Sequence, residues 1–254
     1  MSVPFAQILR VPGYRKVAAA IAERILSREL REGERLPSET ELARQFGVNR
    51  STVREALREL ESGGLLERRP GSKLMTVSRP QHRAVAKDVS RALALHDVTF
   101  FEVWEALTQL EPPIAEIAAR NRTAADLDSI TAARQQFAAG NTETGKAVHQ
   151  AAEFFRCVGR ATHNQVLALA QEPLLDLLEP SLRVMIDKVP QARSRIAAAQ
   201  QRILEAITRR DVEAARGWMA KHIRDFRKGY ELADIALDCR VHVSPHRSPV
   251  TGCG

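Results

Sequence analysis

One short stretch of the chain concentrates side chains that bond to nucleic-acid bases and phosphates. It contains an asparagine, two hydroxyl residues and three arginines: Asn49, Arg50, Ser51, Thr52, Arg54 and Arg58. Arginine can donate two parallel hydrogen bonds to the O6 and N7 atoms of guanine, which is the commonest base-specific contact. We therefore expect Arg50 and Arg54 to contact base edges, and the other four residues to contact base edges or phosphates.

The spacing of apolar residues predicts that these side chains lie on a helix. Val53, Ala56, Leu57 and Leu60 follow the i, i+3, i+4, i+7 pattern of a buried stripe. Asn49, directly before the helix, is a favoured N-cap residue. The stripe would face the core, and the arginines would lie on the opposite, exposed side.

A second short helix is predicted just before this one. Ser38 and Glu41 have the spacing of a capping box, in which each side chain bonds a free backbone N–H. Gly47 permits the left-handed turn that ends such a helix. Two short helices around a glycine turn predict a helix-turn-helix, whose second helix lies in the DNA major groove. Ser38 and Thr40 join the expected DNA contacts. The alternative is an ordinary helical hairpin with a solvated basic face.

Two short strands are predicted directly after the second helix. Leu65–Arg69 and Lys73–Val77 flank a turn at Pro70-Gly71, so the segment predicts a basic β-wing beside the reading helix. We expect Arg69, Gly71 and Lys73 on this wing to meet the adjacent minor groove or the DNA backbone.

The stretch LPSETELARQFGVNRSTVREALRELESGGLLERRPG resembles the winged-helix domain of the GntR family of bacterial transcriptional regulators. The resemblance runs from about Tyr14 to Val77. One difference concerns the wing, where the family often has a Gly-x-Gly turn and this chain has Gly71-Ser72-Lys73.

The charge distribution agrees with a DNA-binding N-terminal part. Residues 1–80 contain 15 Lys and Arg against 10 Asp and Glu, and they account for most of the net charge of +7. The three cysteines are scattered and form no CxxC pair, which favours a reducing compartment. No apolar run is long enough for a membrane span, and the N-terminus has no signal-peptide pattern. We expect a cytoplasmic protein with no membrane association.

The rest of the chain is predicted to be helical. We expect residues 1–13 to form a flexible arm, 14–77 the winged domain, 78–82 a linker, 83–236 a helical bundle and 237–254 a disordered tail. The fold class is therefore mainly α: a winged helix-turn-helix with a small β-wing, followed by an all-α helical bundle. Pro112-Pro113 predicts a kink or break in one helix. Cys239, His242, His246 and Cys253 in the tail have irregular spacing, which does not favour a metal site.

Three segments of the bundle also resemble a known domain. VWEALTQLEPPIAEIAARN, FFRCVGRATHNQVL and RILEAITRRDVEAARGWMAKHI are similar to the FCD effector domain of FadR-like GntR regulators. The resemblance spans about Val85 to Ala233. It implies a helical bundle that encloses a pocket for a small acid or related metabolite, and it implies a homodimer.

The resemblance also implies where a divalent metal would bind, since many FCD domains use one Asp and three His. These positions fall on Ala151, Phe155, Gln200 and His222, so only the last histidine is retained. Alanine and phenylalanine cannot donate to a metal, and we expect no metal cofactor. A more apolar effector, such as an acyl thioester, becomes plausible. The expected effector pocket comprises Trp104, Ala151, Phe155, Gln200 and His222; each is otherwise an ordinary core residue.

Together these features predict a homodimeric transcriptional regulator, expected to be a repressor. It would bind a short inverted repeat of double-stranded DNA and respond to a small effector, an organic acid or acyl thioester. The alternative is an effector-independent DNA-binding dimer with a purely structural bundle. No triad, paired-carboxylate motif or phosphate-binding glycine loop indicates an enzyme.

Overall fold

The computed structural model describes residues 12–79, 82–139 and 143–241, without the side chains of residues 82–84. The chain divides into two compact units, Met1–Gln81 and His82–Gly254. Most of the expected N-terminal arm and most of the expected tail, including His242, His246 and Cys253, lie outside the described residues.

Within its described residues, 12–79, the first unit contains three helices and a small sheet. Its elements are α1 (Gly13–Leu26), α2 (Glu39–Phe46), α3 (Arg50–Ser62), β1 (Leu66–Arg68) and β2 (Met75–Val77). The strands pair antiparallel, with Leu66 opposite Val77 and Arg68 opposite Met75. Residues 33–36 run along the other side of β2, where Leu36 N donates to Met75 O at 2.9 Å. The predicted winged helix-turn-helix fold is confirmed.

The core of this unit is built from the apolar stripes that the sequence indicated. α1 packs on α3 and contributes Val17 and Ile21, while Leu42 of α2 and Leu66 of β1 complete the interior. The stripe of α3 is the best-buried part, since Val53 is completely inaccessible to solvent. Burying these side chains removes apolar surface from water, the main favourable term in folding. The opposite face of α3 is consequently fixed toward solvent.

The predicted capping box of α2 forms only in part. Ser38 Oγ accepts a hydrogen bond from the backbone N–H of Glu41 at 3.3 Å, and Gly47 adopts a left-handed φ of 64° at the other end. The reciprocal bond from the Glu41 side chain is not formed. Its carboxylate accepts instead from Arg44 and Gln45, at 2.7 and 2.8 Å. This half of the prediction is wrong, because partners one turn later compete for the carboxylate.

The second unit is a bundle of helices, as predicted. In the described ranges it contains α4 (His82–Leu95), α5 (Phe100–Asn121), α6 (Ala124–Ala138), α7 (Thr144–Arg160), α8 (Gln165–Lys188), α9 (Ala192–Thr208) and α10 (Val212–Leu232). Helix α5 packs against α7, α8, α9 and α10, so it lies at the centre. Thr123 begins α6 with a complete capping box to Asp126. No helix among the described residues is long and apolar enough to cross a bilayer.

Of the predicted kink or break at Pro112-Pro113, the break does not occur. Helix α5 runs without interruption from Phe100 to Asn121. A proline removes one backbone donor from a helix, but packing on several sides can offset that loss. Pro112 is buried, and Ile114 and Ala115 beside it are completely inaccessible.

The ordered part of the chain continues beyond the expected end of the bundle at residue 236. Leu237 O and Cys239 O accept from the N–H groups of Phe101 and Phe100, at 2.8 and 3.0 Å. Val241 N donates to Val98 O at 2.8 Å, and the Val241 side chain is buried. The first N–H groups of a helix have no partner within it, and this segment satisfies two of them. The prediction of a disordered tail is therefore wrong for residues 237–241, and the rest of that segment lies outside the described residues.

Candidate nucleic-acid interface and effector pocket

Helix α3 presents its arginines away from the core of the first unit. Arg50, Ser51, Arg54 and Arg58 are all exposed, as predicted. Thr52 is different, because it is half-buried and packs against α1. The contact is close: a Cβ atom added to Gly13 of α1 would lie 3.4 Å from the methyl group of Thr52. The exposed face of α3 therefore offers three guanidinium groups along about two helical turns.

Arg54 is held by an acidic residue of α2 that the sequence analysis did not identify. Its Nε and Nη2 atoms donate to Glu39 Oε2 at 3.2 and 2.9 Å. Arg50 Nη2 lies 3.9 Å from the same oxygen. The hydrogen bond from Arg54 and the nearby arginine charges hold the pKa of Glu39 below its usual value, so the carboxylate is ionised at neutral pH. Half of the Arg54 side chain is still exposed.

A cleft of about 400 Å³ lies beside this ion pair. It is lined by residues of α2, α3 and β1: Glu39, Arg54, Leu57, Arg58, Glu61 and Arg68. Arg68 was not among the predicted contacts, because the sequence alone does not show which side of β1 faces α3. The cleft brings three arginines together at the edge where α3 meets the wing.

The predicted DNA contacts at the starts of α2 and α3 differ in whether their side chains are already hydrogen-bonded. The Ser38 hydroxyl caps α2 and is therefore already engaged by the N–H of Glu41. Thr40 and Asn49 are exposed, and the Asn49 side chain makes no capping hydrogen bond to α3. Both side chains are thus available to a ligand that approaches this face.

The wing carries its basic residues at the end of β1 and on the turn between β1 and β2. Arg69 Nε donates to Glu67 at 3.1 Å, and Arg68 Nη1 donates to the carbonyl of Lys73 at 3.2 Å. Gly71 has a φ of 77°, a left-handed conformation that favours glycine at this turn. Arg69, Gly71 and Lys73 are all exposed.

In the second unit, four of the five predicted pocket residues lie in the interior. Ala151, Phe155, Gln200 and His222 are buried. The rings of Phe155 and His222 are nearly parallel, at 9°, with their centroids 5.6 Å apart. Burial lowers the pKa of His222 to about 4, so the imidazole is neutral at physiological pH.

Two of these interior residues carry polar atoms without partners. Both amide atoms of Gln200 and the Nε2 atom of His222 make no hydrogen bond with any residue in the described ranges. A buried polar group without a hydrogen bond costs stability, and such groups are rare in folded proteins. Each of these atoms is therefore a candidate partner for a polar group of a ligand.

A small cavity of about 30 Å³ adjoins His222. It lies between α8, α9 and α10, and its lining is mainly apolar: Met185, Val189, Ala192, Arg195, Ile196, His222, Asp225, Phe226, Gly229 and Leu232. Ala151, Phe155 and Gln200 do not line this cavity. Trp104 does not line it either, since its Nε1 donates to the carbonyl of Ile223 at 2.9 Å and its ring lies beside Phe101 and Arg227.

Comparison with known proteins identifies both units. The family of bacterial regulatory proteins named gntR matches residues 13–74, and the FCD domain matches residues 102–225. The Uxu operon regulator of Haemophilus influenzae is 30% identical over 213 residues, which cover 80% of this chain and 76% of that protein. The chain belongs to the GntR family.

Other relatives of this GntR-family protein support the assignment. The Glc operon transcriptional activator of Escherichia coli (strain K12) is 29% identical over 235 residues, covering 87% of this chain and 89% of that protein. The solved structure of Streptococcus agalactiae GntR superimposes with a TM-score of 0.60 at 25% identity, covering 85% of this chain and 99% of the other. The protein is accordingly a DNA-binding transcriptional regulator of the GntR type with an FCD domain.

The metal positions that the FCD resemblance implies do not fit a metal in this GntR-family chain. The side chains there are a methyl group, a phenyl ring, an amide and one imidazole. The phenyl ring of Phe155 stacks on His222 and fills the space beside it. Among the residues that the structure describes, no group of three or more His, Cys, Asp and Glu is placed to hold a metal ion. Zinc sites need three or four N, O or S donors, and this set offers too few.

Proposed function

We propose that this regulator acts as a homodimer whose α3 helices and wings read a short inverted repeat in double-stranded DNA. Arg50 and Arg54 bond to base edges, and Arg69, Gly71 and Lys73 meet the minor groove or backbone. The observation that carries this proposal is Arg54, whose guanidinium is exposed yet fixed in direction by Glu39. A dimer carries two copies of the helix-turn-helix, and its two-fold symmetry requires two related half-sites in the DNA.

Substitution of Arg54 by alanine tests the reading role. Loss of a bidentate arginine–guanine contact costs about 1–3 kcal/mol on the preferred sequence. We expect Arg54→Ala to weaken binding to the preferred duplex by that amount and to leave binding to random duplex almost unchanged. Fluorescence anisotropy at two salt concentrations measures both affinities.

Arg91 provides the control for charge. It is exposed on α4 of the second unit and pairs only with Asp88 in the contacts described, at 3.3 Å. Arg91→Ala should change neither affinity. An equal loss on preferred and random duplexes with Arg54→Ala would mean that Arg54 contacts phosphate, because phosphate contacts carry no direct sequence information.

For the FCD domain we propose a small-metabolite site at Gln200 and His222, next to the cavity between α8, α9 and α10. An organic acid or acyl thioester supplies carbonyl oxygens that accept from the Gln200 amide, and its apolar part suits the Met185, Ile196 and Phe226 side chains. A volume of about 30 Å³ is far below the 300–1,000 Å³ typical of ligand pockets. Binding therefore has to separate α8 and α9 from α10, and this movement is what a ligand can couple to DNA affinity.

The small size of the cavity favours a second candidate, an effector-independent dimer with a purely structural bundle. A thermal-shift screen against organic acids and acyl thioesters distinguishes the two. A ligand that raises the melting midpoint and changes operator affinity supports the metabolite site. Stabilisation by none of these compounds supports the structural bundle. Repression remains the predicted sign of regulation, and transcription in vitro with and without the protein tests it.

We further propose that the FCD domain works without a bound divalent metal. Titration calorimetry with zinc or nickel should give no stoichiometric binding to the wild-type protein. The double variant Ala151→Asp with Phe155→His adds one carboxylate and one imidazole near His222. This variant should bind zinc or nickel measurably. Stoichiometric binding by the wild type would contradict the proposal.

A further inference from the structure

The most informative feature that the proposed function leaves unexplained is an acidic side chain on the DNA-binding face. Glu39 is ionised and one quarter exposed, and it lies among Arg50, Arg54 and Arg68. A carboxylate near DNA repels phosphates, which weakens the electrostatic part of binding. Its presence at this position calls for a compensating role.

The geometry of the ion pair points to that role. A guanidinium has two edges that can make paired hydrogen bonds: the side edge of Nε with Nη2, and the end edge of Nη1 with Nη2. Glu39 accepts from the side edge, through Nε at 3.2 Å and Nη2 at 2.9 Å. Nη1 makes no hydrogen bond with any residue that the structure describes, so the end edge stays free. That edge has the spacing needed to bond O6 and N7 of one guanine.

We propose that Glu39 is a positioning residue for DNA sequence recognition, and that it fixes the end edge of Arg54 toward the base pairs. The proposal rests on the reading role of Arg54 given above. An unrestrained arginine loses its rotamer freedom when it binds DNA, and this loss opposes binding. Because Glu39 has already restricted the side chain in free protein, less of that freedom is lost at the base. Glu39 contributes to discrimination between sequences, and its charge slightly opposes binding to DNA in general.

The test compares full-length variants on a duplex library with a randomised central segment. The wild-type protein selects the preferred sequences, and sequencing gives the preference at each base pair. Arg54→Ala first identifies the base pairs that depend on Arg54. We expect Glu39→Ala to lose about tenfold in discrimination at those base pairs, the equivalent of roughly 1.4 kcal/mol. Binding to the unselected library should be unchanged or slightly stronger, and the double variant should lose no more than Arg54→Ala alone.

Two further variants separate positioning from a structural effect. Glu39→Gln keeps one oxygen acceptor for Arg54 and should show an intermediate loss. It replaces Glu39→Ala as the deciding variant if circular dichroism shows that the alanine protein does not fold. Glu32→Ala removes an ion pair of similar length, to Arg79 at 2.8 Å in the same unit, and should leave every base preference unchanged.

Three results would overturn the proposal. Full preference at the Arg54-dependent base pairs in both Glu39 variants would show that Glu39 does not orient Arg54. A uniform loss at all base pairs, with weaker binding to the unselected library, would show that Glu39 only supports the fold. Stronger operator binding by Glu39→Ala would show that Glu39 holds Arg54 away from DNA. If Arg54→Ala itself changes no base preference, the proposed reading role fails instead.

Discussion

Replacing Gln200 by leucine should stabilise the ligand-free helical unit, whereas the same change at Gln171 should destabilise it. Both glutamines are fully or almost fully buried. The amide of Gln200 has no partner in the described ranges. The Nε2 atom of Gln171 donates to both oxygens of Glu111 at 2.9 Å and to the carbonyl of Phe155 at 3.1 Å. The two positions therefore match in residue type and burial, but only the Gln171 amide has hydrogen-bond partners in the described ranges.

The magnitudes follow from the cost of a buried polar group without a partner, about 1–3 kcal/mol. Leucine is close to glutamine in volume and removes the unpaired amide of Gln200, so the free energy of unfolding should rise by about 1–3 kcal/mol. At roughly 2–4 °C per kcal/mol, the melting midpoint should increase by about 2–12 °C. Leucine at position 171 leaves the Glu111 carboxyl group unpaired and should lower the free energy of unfolding by about 1–3 kcal/mol.

Differential scanning calorimetry of protein refolded and dialysed free of small molecules measures both midpoints. Gln201→Leu is the control, since Gln201 is half-buried and bonds only to Glu205 in the contacts described, at 2.9 Å. It should shift the midpoint little. A lower midpoint for Gln200→Leu, comparable with that of Gln171→Leu, would contradict this prediction. The Gln200 amide would then be satisfied in solution, and the argument for a polar ligand site would lose its main support.

Two further predictions concern the stability of each unit. Burial raises the pKa of Glu111 from 4.5 to about 8, so the folded protein keeps a proton that the unfolded chain releases between these values. As the pH rises from 4.5 to 8, the free energy of unfolding should therefore fall by more in the wild type than in Glu111→Gln. Urea titrations at several pH values measure this fall. An equal fall in the two proteins would contradict the prediction. Ser38→Ala removes the cap of α2 and should destabilise the first unit by about 1 kcal/mol. Thr40→Ala, at an exposed position nearby, is its control in the same denaturation experiment, and equal effects of the two variants would argue against the cap.

Local rules predicted the helices and the wing because their signals lie within a few residues of each other. The stripe from Val53 to Leu60 predicted the buried side of α3, and the turn at Pro70-Gly71 predicted two strands. The same kind of rule was wrong for the reciprocal bond of Glu41 and for a break at Pro112-Pro113. In the first case Arg44 and Gln45 competed for the carboxylate. In the second, packing around α5 kept the helix continuous. Competition and packing depend on neighbours that a local motif does not include.

In the candidate site, too, some features follow from the sequence and others depend on the tertiary structure. The positions of Arg50, Arg54 and Arg58 on an exposed helical face follow from the sequence period alone. The Glu39–Arg54 pair joins residues 15 positions apart on different helices, so its existence depends on the angle between α2 and α3. The Phe155–His222 stack joins α7 to α10, and no spacing along the chain indicates it.

The sequence was sufficient to predict the two domain types, the reading helix and its exposed arginines, and the replacement of most metal ligands. These properties depend on residue identity and on periods of a few residues. Three features required the folded structure: the pairing of Glu39 with Arg54, the position of Trp104 away from the cavity, and the lack of partners for the polar atoms of Gln200 and His222 in the described ranges. Hydrogen bonding and burial are set by which distant side chains pack together, and that is decided when the helices assemble.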